Sequence, residues 1–183
     1  PVAGIHLNIF NNHSDRVRIA NIAQAVNVLQ SPVLTEGDKM VLTPTWYIFH
    51  MYKDHMGATL LGSTAACSAA GFESEDEKIK IPSLNVSASE KKDEKTGKNR
   101  YLVTVCNSDL NDTKTLDISL ANLKGSISKA EGKLLSGEEM NTCNTFEKPD
   151  QVTEKALKVT ITDKDTVSIT LPARSVAAVT IWE

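Results

Sequence analysis

The chain has 183 residues, enough for one ample domain or for one domain with a fragment of another. A formal net charge of −3 with interspersed lysine and glutamate excludes the basic footprint of a nucleic-acid binder. No apolar run approaches the ~20 residues needed to span a bilayer, and no signal peptide is visible.

The first residue is Pro1 rather than methionine, so the expectation is a piece of a longer polypeptide. That piece is read as soluble, either cytoplasmic or exported under a signal lost upstream. Cys67, Cys106 and Cys143 are odd in number, far apart and lack zinc-type spacing. They read as buried free thiols, which leaves the redox compartment open.

Two composition regimes meet near Gly57. Residues 1–57 hold all four histidines and most of the aromatic residues, whereas 58–183 are rich in Val, Ile, Thr, Ser and Lys. Ile5, Ile9 and Phe10 at helical spacing, with Val2 on the same side, predict an amphipathic helix over 2–12. The segment from Val17 to Gln24 is apolar enough for a strand buried on both faces. It fits a helix equally well through Ile19, Ile22 and Val26, and periodicity leaves both open. Asn21, Gln24, Asn27 and Gln30 interrupt this apolar stretch with uncharged amides. An amide offers donor and acceptor without charge, which suits it to gripping a sugar, and suits it equally to tying backbone in a connecting segment.

Val33–Thr35 and Lys39–Thr43 flank Glu36-Gly37-Asp38 and predict a short hairpin. The helix that follows has Thr43 to cap it, Pro44 for its first position and Gly57 to end it. Its apolar face is Thr45, Ile48, Phe49, Tyr52 and Met56. Residues 1–57 thus read as an α/β unit cut loose from its sheet.

From Ala58 the period becomes two. The predicted strands are 59–63, 79–81, 84–89, 101–107, 115–120, 126–135, 156–162, 166–171 and 175–182. Tyr101, Val103 and Val105 face one side, as do Leu116, Ile118 and Leu120, then Leu157, Val159 and Ile161, then Val167, Ile169 and Leu171. Turn chemistry at Asp93–Gly97, Asp109–Asp112 and Asp163–Asp165 separates the runs. The fold class is mainly β, with residues 58–183 forming an antiparallel β-sandwich of jelly-roll type.

The residues by themselves carry no Gly-rich phosphate loop, no GxSxG elbow and no HExxH helix. His50 and His55, five apart, are a poor pair for one metal and read as packing or surface groups. No carboxylate lies in an apolar stretch that would raise its pKa for acid work; Asp15, Glu36 and Asp38 are read as turn residues. Asn12-His13-Ser14, Asn85-Val86-Ser87 and Asn111-Asp112-Thr113 fit the glycosylation acceptor pattern, which arises often by chance.

The run from Asn8 to Gln30, Asn-Ile-Phe-Asn-Asn-His-Ser-Asp-Arg-Val-Arg-Ile-Ala-Asn-Ile-Ala-Gln-Ala-Val-Asn-Val-Leu-Gln, closely resembles the closing segment of the catalytic barrel in family 51 glycoside hydrolases, the α-L-arabinofuranosidases. The likeness continues through Thr35–Thr45 and Phe49–Tyr52, and returns at Met140–Asp150 and Leu171–Val176. It implies a C-terminal jelly-roll sandwich preceded by an α/β remnant, the last strand and helices, of a (β/α)8 barrel. Residues 1–57 would be the end of that barrel, with 17–24 its eighth strand and 44–56 its eighth helix. The sandwich would occupy 58–183.

By the same resemblance, the glutamine of Ala23-Gln24 would hydrogen-bond arabinofuranose in the −1 subsite at the carboxyl end of the strand, where barrel sites are built. Asn27 and the hairpin would lie near the rim. The family uses two glutamates, a pair that in a retaining enzyme stands about 5–5.5 Å apart. Both motifs precede Pro1, so this chain contains no catalytic residue and is expected to be inactive alone. The implied partner is an arabinofuranosyl oligosaccharide or polysaccharide, with no cofactor, metal, nucleic acid or membrane, and with a homo-oligomer left open. The alternative is a carbohydrate-binding or oligomerisation sandwich without catalysis. Glycan binding would need exposed aromatic platforms. Residues 58–183 supply only Phe72, Tyr101, Phe146 and Trp182, with Tyr101 read as facing inward. In a free fragment, Ile48, Phe49, Tyr52 and Met56 would pack on the sandwich or on a second copy.

Overall fold

A computed structural model describes residues 1–183 apart from 24, 74–77 and 95, and apart from the side chains of 72, 73 and 78. Its organising element is a six-stranded antiparallel sheet with both faces covered. In chain order the strands of this sheet are β3 (Thr59–Leu61), β6 (Leu84–Lys92), β7 (Asn99–Asn107), β9 (Lys129–Ser136), β10 (Lys155–Leu157) and β13 (Ser175–Trp182). Their spatial order is β10-β9-β13-β7-β6-β3. One face packs on a three-stranded sheet ordered β11 (Thr160–Asp163), β12 (Thr166–Leu171), β8 (Lys114–Ser119). The other face receives the helices α1 (Val2–Asn12) and α2 (Pro44–Tyr52). Two hairpins stand outside, β1 (Val33–Glu36) with β2 (Lys39–Leu42), and β4 (Ala69–Glu73) with β5 (Lys78–Pro82).

Side-chain alternation sorts the central strands between two cores. Tyr101, Val103 and Val105 of β7, with Ala177, Val179 and Ile181 of β13, pack on Val167, Ile169 and Leu171 of β12. Leu102 and Cys106 of β7, with Val176 and Ala178 of β13 and Leu135 of β9, pack on Ile48, Met51 and Tyr52 of α2. Because β7 and β13 are buried on both sides, their sequences read as nearly unbroken apolar runs. Strand β8 has one face open and alternates between half-buried and exposed residues along its length.

Several expectations need correction. Helix α1 forms over the predicted residues, but of the predicted stripe only Ile5 packs on the sandwich side, beside Ala3 and Leu7. Gly4 and Asn8 are its buried residues, while Val2, Ile9 and Phe10 are 61%, 41% and 37% exposed. Gly4 permits the approach, since a Cβ there would lie 2.8 Å from Cys106 Sγ and 3.1 Å from the Tyr52 hydroxyl. Residues 17–23 of the expected strand have no regular structure, because a strand needs a neighbour to bond and among the described residues none pairs with them. The bridge nearest to them joins Val26 and Val33 in parallel.

The predicted run 156–162 divides into β10 and β11, which belong to different sheets, and Ile161 ends 43% exposed on an edge strand. Strand β4 was not foreseen. Helix α2 tightens into a 3₁₀ turn at Lys53–His55, which carries Met56 off the docking face to 76% exposure. Thr43 stands at the N-cap of α2 as expected, but its hydroxyl donates to the Ser31 carbonyl at 2.8 Å and not to the helix N–H groups. Of the cysteines only Cys106 is buried; Cys67 and Cys143 are exposed.

The two-sided burial sets a clear expectation. Leu171→Ala, at a site with 0% exposure, is expected to cost about 2–5 kcal/mol in urea unfolding. Leu29→Ala, at a site 90% exposed, is expected to stay within about 0.5 kcal/mol.

Candidate functional site

Both sequence-predicted site residues lie in the segment between α1 and the β1–β2 hairpin. Gln24 falls outside the described residues. Its neighbours Ala23 and Ala25 are exposed, as are Asn21 and Asn27, so the amide-bearing stretch runs over the surface.

Asn27 is held in the left-handed region at φ 54, a conformation asparagine tolerates better than most residues. Its Nδ2 donates to Thr35 Oγ1 at 2.9 Å, and its Oδ1 accepts from the Thr35 backbone N–H at 2.7 Å. Its own N–H donates to the Val33 carbonyl at 3.1 Å. Of the two roles open to an amide here, tying backbone is realised at Asn27. One N–H of the amide and one lone pair of its oxygen are left over by this pairing.

The hairpin that Asn27 grips is in turn anchored to the sandwich. Asn144, 3% exposed, donates to the carbonyls of Leu42 at 2.8 Å and Val152 at 2.9 Å. Its Oδ1 accepts from Val152 N–H at 2.8 Å. Asn144 lies in the 140–150 segment singled out by resemblance, but nothing in its sequence context marks it as an anchor.

Neither histidine of α2 and its 3₁₀ extension is free. His50 stacks on Trp46 with centroids 4.9 Å apart and has Nδ1 2.9 Å from Glu154 Oε2. His55 lies between Ser89 Oγ at 2.7 Å and Thr104 Oγ1 at 3.0 Å. Among the described residues no group of three or more His, Cys, Asp or Glu could hold a metal ion.

The described carboxyls whose pKa departs from its ordinary value all move down. Backbone N–H groups of Asn111 and Asp112, with Lys114 at 3.0 Å, hold Asp109 near about 2. For Glu154, burial pushes upward, but Lys133 at 2.6 Å and His50 outweigh it and leave the carboxyl below its usual range. A general acid needs the opposite shift, so these two carboxylates are suited to structure.

Of the four sandwich aromatics, the Phe72 side chain lies outside the described residues and Tyr101 is buried in the core as expected. The Lys129 ammonium lies over the Trp182 ring at 4.9 Å, and Phe146 is half-buried. No helix among the described residues is long and apolar enough to cross a membrane.

The Asn27 clamp generates a local expectation. Asn27→Ala removes the acceptor for the Thr35 amide and strains the backbone, so exchange of that amide is expected to quicken by about tenfold or more. Asn27→Gly relieves only the strain, and hydrogen exchange at Thr35 should then fall between the two.

The profile described as the alpha-L-arabinofuranosidase C-terminal domain matches residues 1–175. An intracellular exo-alpha-L-arabinofuranosidase of Bacteroides ovatus is 35% identical over 175 residues, covering 96% of this chain and 32% of that protein. The crystal structure of a family 51 arabinofuranosidase from Xanthomonas axonopodis pv. citri superposes with a TM-score of 0.86 at 34% identity. It covers 98% of this chain and 34% of that one. A family 51 alpha-L-arabinofuranosidase from Bifidobacterium longum superposes with a TM-score of 0.78 at 28% identity, again over 98% and 34% of the two chains. The chain therefore spans about a third of the length of these relatives. The match along 1–175, together with the mainly β architecture it shares with these enzymes, shows that the chain belongs to the C-terminal domain family of the family 51 α-L-arabinofuranosidases.

Proposed function

We propose that the chain is the C-terminal portion of a retaining α-L-arabinofuranosidase that hydrolyses terminal non-reducing α-L-arabinofuranosyl residues of arabinan- or arabinoxylan-type glycans. The observation that carries this reading is a match over nearly the whole chain to about a third of each relative. In it, Gln24 bonds the sugar in the −1 subsite, Asn27 and the hairpin form the rim, and the sandwich is the buttress behind them. The two catalytic glutamates belong to the rest of the enzyme, and the chain by itself performs no hydrolysis.

The exposed faces of the helical segment support this division of labour. Val2, Ile9 and Phe10 on α1, with Ile19 at 76% exposure, Leu29 at 90% and Met40 at 64%, are large apolar groups left facing water. Surfaces of this kind pack on another protein surface, and the remainder of a barrel is the occupant that the family match supplies. Trp182 under Lys129 and Tyr101 in the core leave the sandwich poorly equipped for stacking sugars.

Incubation of the purified chain with an aryl α-L-arabinofuranoside is expected to release no phenol, and calorimetric titration with arabino-oligosaccharides to give no heat. Turnover by the chain alone would overturn the inactive-portion reading, and micromolar binding would favour a glycan-binding module. In a whole enzyme containing this segment, Gln24→Ala is expected to lower kcat/KM by about tenfold, the worth of one or two hydrogen bonds at about 0.5–1.5 kcal/mol each. Asn27→Ala should act more weakly.

A further inference from the structure

His55 is clamped between the 3₁₀ turn that carries it and two strands of the large sheet. Its Nδ1 is 2.7 Å from Ser89 Oγ on β6, and its Nε2 is 3.0 Å from Thr104 Oγ1 on β7. Thr104, with 0% exposure, has one hydroxyl proton, which goes to Asn8 Oδ1 on α1 at 2.7 Å. An amide oxygen can only accept. His55 Nε2 therefore carries the ring proton and donates to Thr104, which leaves Nδ1 to accept from Ser89. Asn8 Nδ2 continues the series by donating to the Asn85 carbonyl at 3.1 Å. The series Ser89, His55, Thr104, Asn8, Asn85 is complete with a neutral imidazole. A second ring proton would turn the Ser89 hydroxyl, 5% exposed, from donor to acceptor and take from its own proton the acceptor that Nδ1 provides.

The charged neighbours do not provide for an imidazolium. Asp54 on the same turn is engaged by Arg100 of β7 at 3.6 Å. Lys53 turns to His50 Nε2 at 3.1 Å. From α2, the Tyr52 ring centroid is 5.7 Å away, and its hydroxyl lies 3.5 Å from Cys106 Sγ of β7. Strand β6 presents neutral Ser87 and Ser89 and, two residues on, the cation Lys91 on this face, while α1 presents neutral Asn8. Glu90 pairs with Tyr101 on the other face of the strands. Among the described residues no carboxylate is bonded to the ring. Burial accordingly holds the imidazole down to about 4, with Asp54 opposing only in part.

We propose that His55 is a proton-operated latch: its neutral ring fastens the helical segment to the sandwich sheet, and its protonation releases α1 and the 3₁₀ turn. The sign follows from linkage. Above pH 6.5, the ordinary histidine value, the ring is neutral whether docked or released. Between 6.5 and about 4 the released state binds a proton that the docked state refuses, so docking weakens as pH falls through that window. Below about 4 both states are protonated and the loss levels off.

Cys106 reports on release directly. It is 0% exposed, sealed beneath Gly4 and Tyr52, and burial pushes its thiol up to about 11. With Cys67→Ser and Cys143→Ser removing the exposed thiols, labelling by a pyridyl disulfide that reacts in acid reads opening at Cys106 alone. Normalised to an unfolded cysteine control, the labelling rate is expected to rise on the order of twentyfold from pH 7 to pH 5. Adding His55→Gln, whose amide can accept from Ser89 and donate to Thr104 without taking a proton, should flatten that rise to within about twofold. A flat profile with His55 in place, or the same rise with His55→Gln, overturns the proposal. Should His55→Gln not fold, an NMR titration of the His55 ring decides: a midpoint near 4 supports the latch, and one near 6.5 overturns it.

Discussion

Asn8 sits at the point where the helical segment meets the sandwich, and its three side-chain contacts hold the two together. A buried amide costs stability unless its donors and acceptor are matched. Here Thr104 supplies the proton for its oxygen, and the Asn85 carbonyl and the Cys106 sulfur lie against its nitrogen. That matching requires α1 to lie within bonding distance of β7, which Gly4 alone allows at the next turn of the helix. It also requires Thr104 to spend its proton on Asn8, which fixes the tautomer of His55. One polar contact thus orients α1, the 3₁₀ turn and two strands of the sheet. Around it, the apolar packing of α2 on β7, β9 and β13 excludes water from the joint.

The same logic of successive ties runs outward to the rim. Asn144 secures the hairpin to the sandwich, the hairpin presents Thr35, and Thr35 is gripped by Asn27. Gln24 precedes this clamp by three residues. The sandwich thereby governs where the hairpin and the Asn27 segment stand, because each step of the connection is a hydrogen bond in a defined place. Toward the sandwich α1 turns Ala3, Ile5 and Leu7 around the buried Gly4 and Asn8, and it leaves Val2, Ile9 and Phe10 exposed. A helix with apolar groups on both sides has room for a second packing partner besides the sandwich.

Much of the fold was legible along the chain. Unbroken apolar runs at β7 and β13, alternation at β8 and β12, the Glu36-Gly37-Asp38 turn and Pro44 at the head of α2 are local signals, and each element forms close to where those signals stand. The family was legible too, in the 8–30 run and its continuation through the hairpin. Local pattern could not show which face of α1 is buried, because hydrophobic spacing identifies an apolar stripe without saying which partner covers it. It could not separate β10 from β11, because alternation continues while the chain crosses from one sheet to the other. It could not make 17–23 a strand either, because strand bonds are made with a neighbour.

The sequence by itself determined the mainly β class, the boundary of composition near Gly57 and the membership of the arabinofuranosidase C-terminal family, since these rest on periodicity, turn chemistry and motif. Only the tertiary structure decided that Asn8, Thr104 and His55 form one network, that Asn144 anchors the hairpin, and that Asn27 spends its amide on Thr35. These pairings join residues as far apart as Asn8 and Thr104 or Leu42 and Asn144. Hydrogen bonding at such separation depends on how whole layers pack, which no local pattern encodes.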